Sequence, residues 1–137
     1  MFRDMGQLAP EHEDALYTAS VAWLTDALAR EEYVGWVCDR VPAGVPEVVA
    51  GAGMQLRGIL PRVLDTSLYT GLEAIVVNVY VEPEWRRRGF ARRLMQTLMH
   101  WARERGIERV VLHASRDGRA LYEELGFVQT NEMRLEG

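Results

Sequence analysis

The chain has 137 residues, enough for one domain with its own hydrophobic core, and we expect a single domain over residues 1–137. All 16 basic residues are arginine, which argues against Schiff-base enzymes, P-loop nucleotide hydrolases and protein kinases, since these depend on a lysine amine. The single cysteine, Cys38, excludes disulfide frameworks and cysteine-based zinc sites, and it predicts a protein of the reducing cytoplasm. No run of 18 apolar residues is present, so we expect no segment that spans a membrane.

The first half of the chain is predicted to form a helix, two strands and a loop. Apolar residues three and four apart predict a helix over residues 11–30. Two short strands are predicted at Tyr33–Cys38 and Val48–Leu56, the second with glycines that mark a bulge or a close backbone approach. Residues 57–72 are rich in glycine, proline and polar side chains and are predicted to form a loop.

The second half is predicted to alternate strands and helices. Residues 74–81 are almost continuously apolar, which predicts a central strand covered on both faces. An amphipathic helix is predicted over residues 89–105, followed by a strand at Arg109–Ser115. A short helix at Gly118–Leu125 and a final strand at Phe127–Leu135 complete the expected mixed α/β fold, which contains one strand–helix–strand crossover.

Basic charge is concentrated where the central strand meets the amphipathic helix. Five arginines lie within residues 86–93, whereas the other 129 residues carry a net charge of −9 that favours a cationic substrate. A solvated surface is one interpretation of such a cluster. However, arginine at a helix N-terminus opposes the helix dipole, so the cluster favours a small bound anion such as a phosphate over duplex nucleic acid, which needs a longer basic face.

Two motifs in this half resemble signatures of the GNAT superfamily of N-acetyltransferases. Arg86-x-x-Gly89-x-Ala91 is similar to the acyl-CoA-binding pattern Arg/Gln-x-x-Gly-x-Gly/Ala, and Tyr122-x-x-Leu-Gly-Phe127 matches a second element of that superfamily at the expected distance. The resemblance covers roughly residues 33–137. It implies a mixed, mostly antiparallel central sheet with helices on both faces, and transfer of an acetyl group from acetyl-CoA to a primary amine.

The resemblance also implies which residues bind acetyl-CoA as co-substrate. Backbone amides of the arginine-rich turn would hold the pyrophosphate, the main chain of the preceding strand would hold the pantetheine arm, and Ser115 stands where relatives have an asparagine that contacts the cofactor. The implied cofactor-binding residues are Val79, Val81, Arg86, Arg87, Arg88, Gly89, Phe90, Ala91, Arg92 and Ser115. No metal is implied.

Candidate catalytic residues follow from the same comparison. Tyr122 matches the tyrosine that protonates the departing CoA thiolate, although a tyrosine on a short amphipathic helix also serves as a packing anchor. The general base is Glu73 or Glu82, which flank the central strand. Asn78 within that strand either orients the substrate or is a buried amide satisfied by backbone. His113 is expected to be a core or surface residue rather than a catalytic one.

The start of the chain departs from the family pattern. Met1–Gly6 resembles the end of the first helix, so the chain is expected to lack the first strand and most of that helix. A missing edge strand exposes unpaired backbone and favours a homodimer. An alternative function is a non-catalytic acyl-CoA-binding or regulatory module. An unrelated nucleotide-binding domain ranks last, because the turn lacks the Gly-x-Gly-x-x-Gly spacing.

Overall fold

The computed structural model describes residues 13–40, 47–69 and 71–137. Its main sheet has the strand order β1-β2-β5-β6, in which all neighbours are antiparallel except β5 and β6, and β3 and β4 form a separate hairpin. The elements are α1 (Glu13–Ala29), β1 (Tyr33–Arg40), β2 (Glu47–Gly58), β3 (Arg62–Leu64), β4 (Ser67–Tyr69), β5 (Leu72–Val81), α2 (Phe90–Glu104), β6 (Arg109–Leu112) and α3 (Arg119–Glu124).

The predicted mixed sheet is therefore confirmed, including the parallel crossover. The helix α2 carries the chain from β5 to β6, and these strands pair in parallel from Glu73 with Arg109 to Val76 with Leu112. A parallel pair needs such a crossover because the chain must return to the same end of the sheet. Gly106 ends α2 with a φ of 71°, the left-handed conformation that glycine adopts without strain.

The hydrophobic core lies between α2 and one face of the sheet. The helix buries Met95 and Leu98 completely, against small side chains of β2 and β5 that leave room for them. Trp36 of β1 meets Trp101 of α2 edge to face, with ring centroids 5.7 Å apart. Full burial of a leucine-sized side chain contributes about 2 kcal/mol, so this helix face is the main source of stability.

The opposite face of the sheet is covered more thinly by the described side chains. Among the side chains of α1 described from residue 18 onwards, only Ala27 is buried, whereas Trp23 and Leu28 remain about half exposed. The Trp23 ring meets the edge of Tyr33 at 6.0 Å, which attaches the helix to β1. This incomplete cover leaves room for a cleft on the same face, described below.

The sequence-based prediction of a loop at residues 57–72 is wrong in part. The hairpin of β3 and β4 lies inside it, joined by Asp65 and Thr66, which have φ values of 47° and 69°. Positive φ values at both loop residues define a turn whose twist matches that of the two strands it joins. This turn normally uses asparagine and glycine, so the sequence carried no recognisable hairpin signal.

Two further strand predictions at the end of the chain need correction. The strand predicted at Arg109–Ser115 forms only over Arg109–Leu112, and the strand predicted at Phe127–Leu135 does not form. Phe127 packs against Tyr122, after which the apolar side chains of Val128, Met133 and Leu135 are exposed. An alternating pattern forms a strand only where an edge is there to pair with it, and the four residues of β6 offer a short one.

Predictions about the start of the chain lie outside the described residues, which begin at Glu13. These include the interpretation of Met1–Gly6 as the end of a helix and the first two residues of the helix predicted over 11–30. Within the residues that are described, no helix has the length and apolar character needed to cross a membrane.

Candidate active site

The strands β5 and β6 separate halfway along β5. Their last pair is Val76 with Leu112, and β5 continues for five residues, Val77–Val81, with no strand beside it on that side among the described residues. The main chain of Val79 and Val81 therefore borders an opening in the sheet. Part of this edge is already used, since the Arg86 Nε donates a hydrogen bond of 2.9 Å to the Val81 carbonyl.

A bulge lies where the opening begins. Gly53 pairs with Val77 and Gly51 pairs with Tyr80, so Ala52 faces two residues of β5, Asn78 and Val79. Asn78 has a φ of 56°, which a bulge imposes on a residue that is not glycine. Such a bulge turns backbone groups away from the sheet ladder and towards the opening. The half-buried Asn78 side chain lines a cleft on the α1 face of the sheet.

The turn after β5 leads into an uncapped helix N-terminus. A 3₁₀ turn at Pro83–Trp85 precedes Gly89, the residue before α2, which has a φ of 84°. The first hydrogen bond within α2 joins the Arg93 N–H to the Gly89 carbonyl at 3.1 Å, so the N–H groups of the first turn have no acceptor within the helix. No side chain caps this end and no acidic residue occupies its first turn. These features favour an anion over a cation at this end of α2.

The arginines around this turn are held by neighbouring groups. Arg88 stacks on the Trp85 ring at 4.8 Å, and Arg92 forms an ion pair with Glu124 of α3. Arg86 contacts the Tyr80 ring at 5.9 Å in addition to the Val81 carbonyl. These contacts hold three arginines in the turn and first helical residues of α2, where Arg86 and Arg88 remain exposed and Arg92 is half-buried.

The second motif forms α3 and the turn that follows it. Gly126 has a φ of 101°, which reverses the chain so that the Phe127 N–H donates to the Tyr122 carbonyl at 3.0 Å. The two aromatic rings then meet edge to face at 6.2 Å. Gly118 lies under the Tyr122 ring, where an added Cβ would stand 2.8 Å from Tyr122 Cε2. Burial raises the pKa of Tyr122 above its usual 10.0, so the phenol keeps its proton at neutral pH.

A comparison with known protein families identifies the group to which this arrangement belongs. The model of the acetyltransferase (GNAT) family matches residues 2–127. The chain belongs to the GNAT acetyltransferase family. This GNAT protein is therefore an N-acetyltransferase, which confirms the enzyme class and the family that the two motifs predicted. No protein of curated function matches its sequence.

Solved structures of other GNAT proteins are similar to this one over nearly its whole length. A GCN5-related N-acetyltransferase from Ralstonia eutropha JMP134 is 32% identical with a TM-score of 0.81, and the match covers 99% of this chain and 84% of that one. A predicted acetyltransferase from Clostridium acetobutylicum, solved with acetyl-CoA, is 25% identical with a TM-score of 0.80, covering 99% and 82%. The aminoglycoside acetyltransferase AAC(6')-Iy, 19% identical with a TM-score of 0.68 over 96% and 84%, shares the fold.

Two polar residues after β6 have local partners in this GNAT structure. The Gly118 N–H donates to the Ser115 Oγ at 3.2 Å, so this hydroxyl helps to form the turn before α3. His113 is exposed, with its Nε2 3.8 Å from a carboxylate oxygen of Glu132. Both residues follow the end of the strand rather than alternate along it. The contact of Ser115 with the cofactor stays a prediction.

The first candidate base, Glu73, is a buried and fully paired carboxylate. Only 1% of Glu73 is exposed, and it lies opposite Arg57 of β2 and Arg109 of β6 in one row across three strands. Both arginines donate hydrogen bonds to it, and Arg62 stands 3.7 Å away. Burial alone would raise the pKa of Glu73, but these hydrogen bonds and charges outweigh burial and hold its pKa below the usual 4.5. Such a carboxylate is a weak base.

The second candidate base, Glu82, lies beside the opening. It follows β5 directly, and its N–H donates to the Val49 carbonyl at 2.8 Å. The Tyr80 hydroxyl donates to the Glu82 Oε2 at 3.2 Å. The described residues hold no group of three or more histidine, cysteine or acidic side chains arranged to bind a metal ion.

A cleft of about 410 Å³ lies between α1 and the sheet and ends at the bulge. The sequence indicated only its glycines, because its walls come from elements far apart in the chain. Tyr33 leans over β2 so closely that a Cβ at Gly53 would overlap its hydroxyl end, 1.8 Å from the hydroxyl oxygen and 2.3 Å from Cζ. The lining residues are Leu28, Tyr33, Gly35, Trp36, Val37, Gly51, Ala52 and Asn78.

We expect Gly53→Ala to displace Tyr33 and reshape this cleft. The new methyl group overlaps the tyrosine ring, so the ring must leave its contact with Trp23 at a cost of about 1–3 kcal/mol. Urea denaturation measures this loss. Gly58→Ala is the matched control on the same strand, because its Cβ meets only the Gly71 carbonyl at 4.0 Å. Equal stability of the two variants would contradict the close packing of Tyr33 on Gly53.

Proposed function

We propose that this enzyme transfers the acetyl group of acetyl-CoA to a primary amine of a small molecule or peptide, by direct attack in a ternary complex. One observation carries the proposal. The bulge at Asn78, the open edge of β5 and the uncapped N-terminus of α2 follow one another along a short stretch of chain. Together they form a track that suits a long ligand with an acyl group at one end and phosphates at the other.

The residues along this track fit acetyl-CoA. We propose that main-chain groups of Val79 and Val81 bind the pantetheine arm, and that N–H groups from Arg88 to Arg92 bind the pyrophosphate. An anion is favoured there because the first helical turn has free N–H groups and no acidic residue. Gly89 allows the ligand to approach the backbone closely. Arg86, Arg87 and Arg88 add positive charge, and Ser115 remains a proposed contact.

The protein supplies three functions to the reaction in this proposal. Backbone N–H groups at the bulge polarise the thioester carbonyl. The amine nitrogen then forms a bond to the acetyl carbon as the carbon–sulfur bond breaks, and Tyr122 donates its proton to the departing sulfur. Glu82, directly or through water, accepts the proton that the amine loses. Glu73 has no part in the proposed reaction, because its carboxylate is committed to the arginines.

The only cysteine supports two parts of the proposal. Cys38 is half-buried on β1 and packs against the hydrophobic core, two strands away from β5. A covalent acetyl-cysteine route needs a thiol at the thioester, so this position favours direct attack by the amine. A free thiol also suits a reducing compartment, and we place the reaction in the cytoplasm.

Substitution of Tyr122 tests the catalytic proposal. We expect Tyr122→Phe to lower kcat about 100-fold. The variant has no hydroxyl to protonate the departing thiolate, and general acid catalysis contributes at least about that factor. The affinity for acetyl-CoA and the unfolding midpoint should stay close to those of the unchanged protein. Thiol release from acetyl-CoA in the presence of a primary amine measures the rate, and calorimetry measures CoA binding.

Two results would contradict parts of this proposal. If Tyr122→Phe retains more than half of kcat, another group protonates the thiolate. If the unchanged protein binds CoA tightly but releases no thiol with any primary amine of a broad panel, the protein is an acyl-CoA-binding or regulatory module instead.

A further inference from the structure

The cleft beside the bulge is apolar over most of its described surface. Its side walls are Leu28 of α1 and Val37 of β1, which are 54% and 62% exposed, together with the ring of Tyr33. Gly35 and Gly51 also line the cleft. The Tyr33 side chain lies over Gly35, whereas a Cβ at Gly51 meets only a backbone oxygen and one methyl group of Val37. None of the described residues that line it is charged. A ligand body in this cleft therefore meets hydrocarbon, an aromatic ring and bare backbone.

The polar end of the cleft coincides with the bulge. Asn78 lines the cleft and also stands at the bulge, where the register of the β2–β5 ladder shifts. Its amide oxygen can accept a hydrogen bond from one ammonium group. In the proposed function the thioester lies beside this bulge, so an amine bound at Asn78 is next to the carbon that it attacks.

None of the described acidic residues lines the cleft, so no described carboxylate within it can pair with a second ammonium group. The negative net charge outside the arginine turn favours a cationic substrate. However, Glu73, the most deeply buried of the described carboxylates, is already paired with Arg57 and Arg109. The Asp26 carboxylate forms an ion pair with Arg30. Glu82 does not line the cleft, and in the proposed function it serves the reacting amine. A polycation in the cleft would therefore lose hydration at its extra charges without gaining partners.

We infer that the acceptor is a monoamine on a planar apolar body, of the arylalkylamine type. This inference rests on the proposed function and adds to it the class of substrate. The flat ring lies over the backbone of Gly51, between Leu28, Val37 and the ring of Tyr33. A Cβ at Gly51 would stand 3.8 Å from Val37 Cγ1 and would take part of this space. The single ammonium group reaches Asn78. Apolar area removed from water supplies the affinity.

A panel of amines tests the inference with the full-length protein and acetyl-CoA. We expect 2-phenylethylamine to have a kcat/KM at least about tenfold above those of spermidine and neamine, as apolar contacts of this size allow. If spermidine or neamine is acetylated as efficiently as 2-phenylethylamine, the inference is wrong while the proposed function stands. If no amine is acetylated, the proposed function fails, and calorimetric binding of 2-phenylethylamine to the CoA complex then decides the inference.

Val37→Asp provides the matching variant test. The new carboxylate replaces apolar wall and offers a partner to a second ammonium group, so the preference for 2-phenylethylamine over spermidine should fall at least about tenfold. The affinity for CoA should not change. Val48→Asp is the control, because Val48 lies on the neighbouring strand with 55% exposure and does not line the cleft. If Val37→Asp keeps the same preference for 2-phenylethylamine over spermidine, whether measured by turnover or by binding, then this wall does not contact the acceptor.

Discussion

Replacing Glu73 with glutamine should lower the free energy of unfolding by about 3 kcal/mol. Removal of one partner from a buried ion pair costs about 3–5 kcal/mol, and the lower end applies here because Arg57 and Arg62 reach solvent. The loss leaves Arg57 and Arg109 facing a neutral amide in a row that joins β2, β5 and β6. Urea denaturation at neutral pH measures the difference, and kcat of the folded variant should be unchanged.

The pH dependence of the free energy of unfolding tests whether the charge of Glu73 causes this difference in stability. Its pKa in the folded protein lies below 4.5, so the stability that it contributes is fully present above pH 4.5 and is lost as the pH falls through the folded pKa. The difference between the two proteins should therefore shrink below pH 4.5. Glu123→Gln, in the exposed pair with Arg119, is the control and should cost less than about 1 kcal/mol. A constant difference down to acidic pH would show that shape rather than charge is responsible.

Introducing aspartate at Gly89 should weaken the binding of CoA about 100-fold without unfolding the protein. Aspartate tolerates the positive φ of this position better than most residues and caps a helix N-terminus well. It would therefore occupy the N–H groups that a phosphate needs and add a repelling charge. Loss of one charge-assisted hydrogen bond costs about 1.5–3 kcal/mol, and about 2.7 kcal/mol corresponds to the expected change in affinity.

Gly106→Asp is the matched control, because Gly106 lies at the other end of the same helix. Its φ of 71° is similar to the 84° of Gly89, and a Cβ at either position meets no atom within 4 Å. We expect this variant to lose about 1 kcal/mol of stability, since a negative charge at a helix C-terminus opposes the dipole, and to bind CoA normally. Calorimetry with CoA compares the two. If both variants bind CoA equally well, phosphate does not bind at the N-terminus of α2.

The short-range features of this enzyme were predictable from the sequence because neighbouring residues produce them. The turn from Arg86 to Ala91 contains its own glycine for the left-handed conformation and its own helix start, so the anion site follows from adjacent residues. The same holds for the second motif, in which Gly126 turns the chain and brings Phe127 onto Tyr122. The alternating strands and helices, and the two motifs that resemble GNAT signatures, are visible at this level.

The parts that depend on strand register could be found only in the tertiary structure. Glu73 is a plausible base in the sequence, yet register places it between Arg57 and Arg109, which lie 16 and 36 positions away. The bulge at Asn78 exists because two residues of β5 face Ala52 of β2, which no local pattern specifies. For the same reason, the pattern of residues 127–135 predicted a strand that does not form.

The sequence by itself thus determined the two motifs that indicated the enzyme class and the proposed phosphate-binding turn, since both depend on residues close together in the chain. Only the tertiary structure decided that Glu73 is paired with arginines and what surrounds the proposed acceptor site. The walls of the cleft come from α1, β1 and β2 and its polar end from β5. Pairing between strands that are distant in the chain sets the positions of these lining residues. A shift of one residue in the register of a strand would turn that strand's lining side chains to the opposite face of the sheet.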